Sequence, residues 1–184
     1  MAGRESSWVK RIAGGDRTAF EELYAAYARR LCGYLFRKIG DPSRAEEVAN
    51  DVLLDVWKGA KSFAGRSRLS TWIFGIAHHK AVSALRRRRT AKVDLEAAAG
   101  LADTSAGAES RLAARDASQR VRDAIESLPV EQRDVVELTF FHDFSYPEIS
   151  EILKCPIGTV KTRMFHARRK LAEILRGGGT GEGS

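Results

Sequence analysis

A chain of 184 residues, 43% of them hydrophobic, allows one large domain or two small ones and holds enough apolar content to bury real cores. Its net charge of +7 and pI near 9.7 favour an anionic partner. Cys32 and Cys155 are too few for a disulfide framework and lack a CxxC partner for zinc, so both are expected as small buried residues. There is no h-region, and the longest apolar run, about Trp72 to Ala77, is too short to span a bilayer, so no membrane insertion and a cytoplasmic location are expected.

Ala, Leu, Arg and Glu recur at helical spacing, and Thr, Val and Ile form no alternating runs, which predicts an all-α fold. Residues 1–15 read as an N-terminal extension. A first helix opens at a Thr18–Glu21 capping box, carries the stripe Phe20, Leu23, Tyr24, Tyr27, Leu31, Leu35 and Ile39, and ends at Gly40, Asp41 and Pro42. A second starts at Asp41, or at Ser43 paired with Glu46, and buries Ala45, Val48, Ala49, Val52 and Val56. Its outward face carries Glu47, Asn50, Asp51 and Leu54, with Asp55 at the border. Such a face suits a protein partner bearing basic residues, and it equally describes an ordinary solvated helix.

After a glycine-containing loop, Phe63 to Arg68, a third helix runs from about Leu69 into the arginine run at 86–89. Leu69, Ile73, Ile76, Ala77 and Ala84 face inward, which puts Thr71, His78, His79, Val82, Arg86 and Arg89 together on the far side. No acidic residue lies between Asp55 and Asp94, so this helix sits in a basic block. Trp72 and Phe74 border the far face, where an aromatic ring stacking on an unpaired base contributes about 1–3 kcal/mol, although a tryptophan there can equally be core. His78 and His79 do not make a metal site, since adjacent helical residues point about 100° apart. No cofactor is expected.

Residues 91–116 turn to Ala, Gly, Ser, Asp and Glu and read as a flexible linker between two small helical domains, 16–90 and 117–176, with a disordered tail at 177–184. A helix with Val121, Ala124, Ile125 and Leu128 stops at Pro129, and another, about Glu131 to Phe141, carries Val135, Val136, Leu138 and Phe140. Then comes SYPEISEILKCPIGTVKTRMFHARRKLAEIL, which reads as helix-turn-helix. Ser145 and Glu148 form a capping box, Pro147 sits in the first turn, and Pro156 breaks the helical period. In the second helix Val160, Met164, Ala167, Leu171 and Ile174 make one stripe, so Thr162, Phe165, His166 and Arg169 face out, flanked by Lys161, Arg163, Arg168 and Lys170. An α-helix of that kind fits a DNA major groove, where hydroxyl, imidazole and guanidinium groups bond base edges and a ring touches a thymine methyl.

Four segments in order, AEEVANDVLLDVW at 45–57, FAGRSRLSTWIFGIA at 63–77, LPVEQRDVVEL at 128–138 and EISEILKCPIGTVKTRMFHARRKL at 148–171, give a pattern that resembles an extracytoplasmic-function sigma factor of bacterial RNA polymerase, over nearly all of 16–175. The resemblance implies that Glu47, Asp51, Leu54, Asp55 and Trp57 lie on a helix that docks on the coiled coil of the β′ subunit. It implies that Phe63, Ser67, Thr71, Trp72, His78, His79, Val82, Arg86 and Arg89 belong to the segment that captures and melts the minus-ten element, with a flipped base held near Ser67. It implies that Thr159, Lys161, Thr162, Arg163, Phe165, His166 and Arg169 read the minus-thirty-five element. Core RNA polymerase, including its β flap, promoter DNA and an anti-sigma factor are the implied partners of a chain that is monomeric when free. His79, where relatives often carry Asn, and His166, where many carry a basic residue, depart from the pattern, so promoter preference does not carry over.

Two other classes remain. A stand-alone helix-turn-helix repressor or activator would bind a palindrome as a dimer, against which the second basic helix argues. A hydrolase would need a nucleophile or metal motif, and no HExxH, P-loop or GxSxG occurs.

Overall fold

The computed structural model describes residues 2–96 and 112–177, and no strand occurs among them. Eight α-helices follow in order: α1 Ala2–Ala13, α2 Arg17–Ile39, α3 Pro42–Gly59, α4 Leu69–Glu96, α5 Leu112–Glu126, α6 Val130–Phe140, α7 Tyr146–Leu153 and α8 Ile157–Gly177, with a 3-10 turn at Ala60–Ser62. Helices α1 to α4 form one compact unit, and α5, α6 and α8 frame a second. No described helix is long and apolar enough to cross a membrane.

The first unit is built around α2, whose Leu23, Leu31, Tyr34 and Leu35 are fully buried against Val52, Leu53 and Val56 of α3 and Ile73, Phe74 and Ala77 of α4. Residues 1–15 are not a simple extension. Trp8, Val9 and Ile12 of α1 are buried. The Trp8 indole N–H donates to Glu22 Oε2 at 2.8 Å, and the Tyr27 hydroxyl donates to Glu5 Oε1 at 2.7 Å. Burial, then the Glu5 carboxylate, push the Tyr27 phenol above its ordinary pKa. So short a helix draws its stability from such tertiary contacts, which local spacing does not reveal.

The cap of α2 is Asp16, not the Thr18–Glu21 pair: Asp16 Oδ1 accepts from Ala19 N at 3.1 Å, and Arg11 Nε holds the other oxygen at 2.8 Å. The cap of α3 is Asp41, accepting from Arg44 N at 3.0 Å, with Pro42 opening the helix. Gly40 ends α2 at φ 78°, a left-handed conformation that glycine adopts without strain.

In the second unit Leu128, Val135, Val136 and Leu138 meet Val160, Met164 and Ala167 of α8 in a shared core. Arg133 Nη2 donates to the carbonyls of Glu126 and Leu128, and Lys170 Nζ to that of Ser127 at 3.5 Å, so cations close the C-terminal end of α5. Phe140 is 58% exposed, and Ile174, expected in the buried stripe of α8, is 37% exposed. Cys32 and Cys155, expected buried, are half-buried.

Helix α4 runs on to Glu96 and α5 starts at Leu112, so helix enters both ends of the 91–116 segment read as a linker. No glycine or proline interrupts 76–99, and the residues on either side of the gap are good helix formers. The remainder of that segment, and the tail after 177, lie outside the described residues.

Candidate nucleic-acid interface

In the second unit Glu148 Oε2 accepts from Ser145 N at 2.8 Å and from Ser145 Oγ at 2.6 Å, which fixes the start of α7. The turn to α8 is tied from both sides: Cys155 N donates to Ser150 O at 3.2 Å, and Ser150 Oγ donates to Cys155 O at 2.6 Å. Lys154 takes the left-handed conformation at φ 52°, and Pro156 O accepts from Thr159 N and Val160 N at the first turn of α8.

That frame leaves Lys161, Thr162, Phe165, His166 and Arg169 exposed on α8. Phe165 is 63% exposed and meets the His166 ring edge-on at 5.5 Å. The Thr162 hydroxyl donates to Gly158 O at 3.0 Å. Arg169 pairs with Glu173 at 3.6 Å, one turn on. Thr159 is half-buried. Arg163, on the flank, is half-buried, with its guanidinium 3.8 Å from Cys155 Sγ.

In the first unit the loop before α4 carries Gly65 at φ 66° and a half-buried Ser67. Beside it the Phe63 and Trp72 rings lie 4.8 Å apart. Gly59 lies close under this pair: a Cβ there would stand 3.2 Å from Trp72 Cζ2, so the indole would have to shift by a few tenths of an ångström. Periodicity alone misses that role, and a glycine in the last turn of a helix is its only signal.

Thr71 does not join the far side of α4. It is 2% exposed, because the whole first turn, Leu69 to Thr71, is packed inside the unit. Phe74 is likewise core and not border, against Tyr34 at 5.4 Å with the Arg30 guanidinium over its face at 5.5 Å. His78 is half-buried with Nδ1 3.0 Å from the Tyr34 hydroxyl. His79, Val82 and Arg86 are exposed, and the Arg89 side chain lies outside the described residues. Among the described residues no group of His, Cys, Asp and Glu is placed to hold a metal.

On α3, Glu47, Asp51 and Leu54 are exposed. Glu47 is paired with Arg44 at 2.5 Å, and Asn50 Oδ1 accepts from the Tyr24 hydroxyl at 3.1 Å. Asp55 is tied to Lys80 of α4 at 2.9 Å, and half-buried Trp57 packs its edge on Phe20 at 5.2 Å. Asp51 and Leu54 thus form the centre of the outward stripe.

Residues 23–91 match the family described as Sigma-70 region 2, and residues 118–171 match Sigma-70, region 4. The RNA polymerase sigma-H factor of Pseudomonas aeruginosa is 28% identical over 182 residues, covering 94% of both chains. The ECF RNA polymerase sigma factor SigK of Mycobacterium tuberculosis is 29% identical over 170 residues, covering 91% of both. The sigma factor RpoE of Bartonella quintana, solved in complex with the anti-sigma factor NepR, is similar at a TM-score of 0.71 and 26% identity, over 85% of this chain and 96% of that one.

Proposed function

Because this chain belongs to the extracytoplasmic-function class of sigma-70 factors, and so directs RNA polymerase to promoters to initiate transcription, we propose how its surfaces divide that work. Helix α8 enters the major groove of the minus-thirty-five element. Phe165 and His166 read base edges there, Thr162 accepts from an amine, and Lys161 and Arg169 hold phosphates. Arg163 acts at one remove, bracing the turn from which α8 springs.

The loop Phe63 to Arg68 and the exposed side of α4 take the minus-ten element. Extruding a base costs a few kcal/mol, which a pocket near Ser67, stacking on Trp72 and phosphate contacts from Arg86 offset. Thr71 serves the packing of α4, and His78 is held by Tyr34 at the edge of the face that His79 and Val82 continue. Asp51 and Leu54 on α3 dock on core polymerase, with Glu47 and Trp57 at the margins and Asp55 as the brace to α4.

The chain performs no chemistry of its own, since bond formation belongs to the polymerase, and it works in the cytoplasm without a cofactor. As the Bartonella relative was solved with an anti-sigma factor, an anti-sigma protein is the partner that withholds this chain from polymerase. The observation that carries the reading is the exposed trio Thr162, Phe165 and His166 opposite a buried stripe, inside the residues that match region 4.

Transcription in vitro with core polymerase and a genomic promoter library tests it. New start sites that share two spaced elements are expected when the chain is added. Transcripts identical to those of core enzyme alone overturn it.

A further inference from the structure

We propose that the docking stripe of α3 ends in a basic pocket that receives an acidic side chain of core polymerase, so that the partner surface is cationic at one end and anionic at the other. The proposal rests on the docking role given to α3 above. Glu47, Asp51, Leu54 and Lys58 follow one another at helical spacings of four, three and four and share one face. All are exposed, and the sign of charge reverses across Leu54.

Beyond Lys58 the C-terminal end of α1 meets α3 and the 3-10 turn at a pocket of about 390 Å3, lined by Ile12, Gly14, Gly15, Trp57, Lys58 and Lys61. The glycine amides on its wall are already committed, Gly14 N to Arg11 O at 3.0 Å and Gly15 N to Ile12 O at 2.9 Å. The donor-bearing side chains left on its lining are those of Lys58, Lys61 and Trp57, none of which has a hydrogen-bond or ion-pair partner among the described residues. Phe20 pins the Trp57 ring edge-on, so the indole is held in place before anything binds.

Cations beside a fixed N–H donor complement an anion. A carboxylate borne by the protein that covers Asp51 and Leu54 arrives tethered, so its contact with the pocket is intramolecular once that face has docked. The pocket also gives α1 a task, since its wall exists only where α1 folds onto the unit.

The test measures competition of full-length variants with labelled intact chain for core polymerase at two salt concentrations. Lys58→Glu with Lys61→Glu is expected to weaken core binding about tenfold or more, and less at high salt, with the melting temperature unchanged. Trp57→Phe, which keeps the ring on Phe20 and removes the donor, is expected to weaken it by a smaller factor. Asp51→Arg separates the two readings. If it weakens core binding while the lysine variant does not, the pocket proposal is overturned and the docking of α3 stands. If neither variant weakens it, both fall. If the lysine variant binds core normally but polymerase saturated with it loses promoter affinity, the lysines hold DNA phosphate and the proposal is overturned.

Discussion

Thr162 donates its hydroxyl proton to the Gly158 carbonyl, so what remains for a base edge is a lone pair. On the proposed reading it therefore favours the exposed amine of adenine or cytosine, while Phe165 on the same face favours a thymine methyl. Phe165→Ala or His166→Ala should shift base preference by about 1–3 kcal/mol at single positions. Lys161→Ala should instead weaken binding to all sequences alike and reduce the salt slope by about 1. Holoenzyme binding to a panel of single-base promoter variants at several salt concentrations distinguishes these outcomes, and equal scaling by all three substitutions would mean that the reading face is misplaced. The orientation of this trio is legible in sequence because it needs only the helical period. Thr71, Arg163 and Asp55 are not legible in the same way, because what surrounds each is set by the fold: the packed first turn of α4, the thiol of Cys155 across a turn, and Lys80 on another helix.

At the scale of elements, α2, α3, α6 and α8 are readable from their apolar stripes, whereas α1 is not. Its apolar set is only Trp8, Val9 and Ile12, and what holds it, Glu22 and Tyr27, lies a helix away. Trp8→Ala should cost about 3 kcal/mol of stability in the first unit, and Trp8→Phe, which loses mainly the hydrogen bond to Glu22, about 1 kcal/mol, both read by chemical denaturation. The junction of α1 and α2 carries a pH signature as well. The Ala19 amide, and then the Arg11 guanidinium, hold the Asp16 carboxyl below its ordinary pKa. A group whose pKa falls on folding stabilises the fold above its unfolded value, and that contribution disappears as pH drops through the folded value. Asp16→Ala should therefore lower the melting temperature at neutral pH and leave it nearly unchanged in strong acid. Asp16→Asn, which retains a capping oxygen, should fall between the two in thermal melts across that range.

At the scale of the whole molecule, one chain carries two recognition surfaces on separately cored units, and their covalent connection makes the second promoter contact intramolecular once the first has formed. The sequence discloses this division through the change in composition between its two helical segments. Two grips on one polyanion have a thermodynamic consequence. Arg86 on α4 and Arg169 on α8 belong to different units, so each alanine substitution should remove its own phosphate contact and its own released counterion, about 0.9 in the salt slope apiece. The double variant should lose the sum of the two single losses to within about 0.5 kcal/mol, as expected for sites that share no partner. Salt titrations of promoter binding by polymerase loaded with the intact chain, each single variant and the double variant measure all of these terms. A double loss well short of the sum would mean that both arginines serve one contact, and the assignment of separate promoter elements to the two units would fail. A double loss well beyond it would mean that each grip is tight only while the other holds, so that the units act on the promoter as one cooperative body.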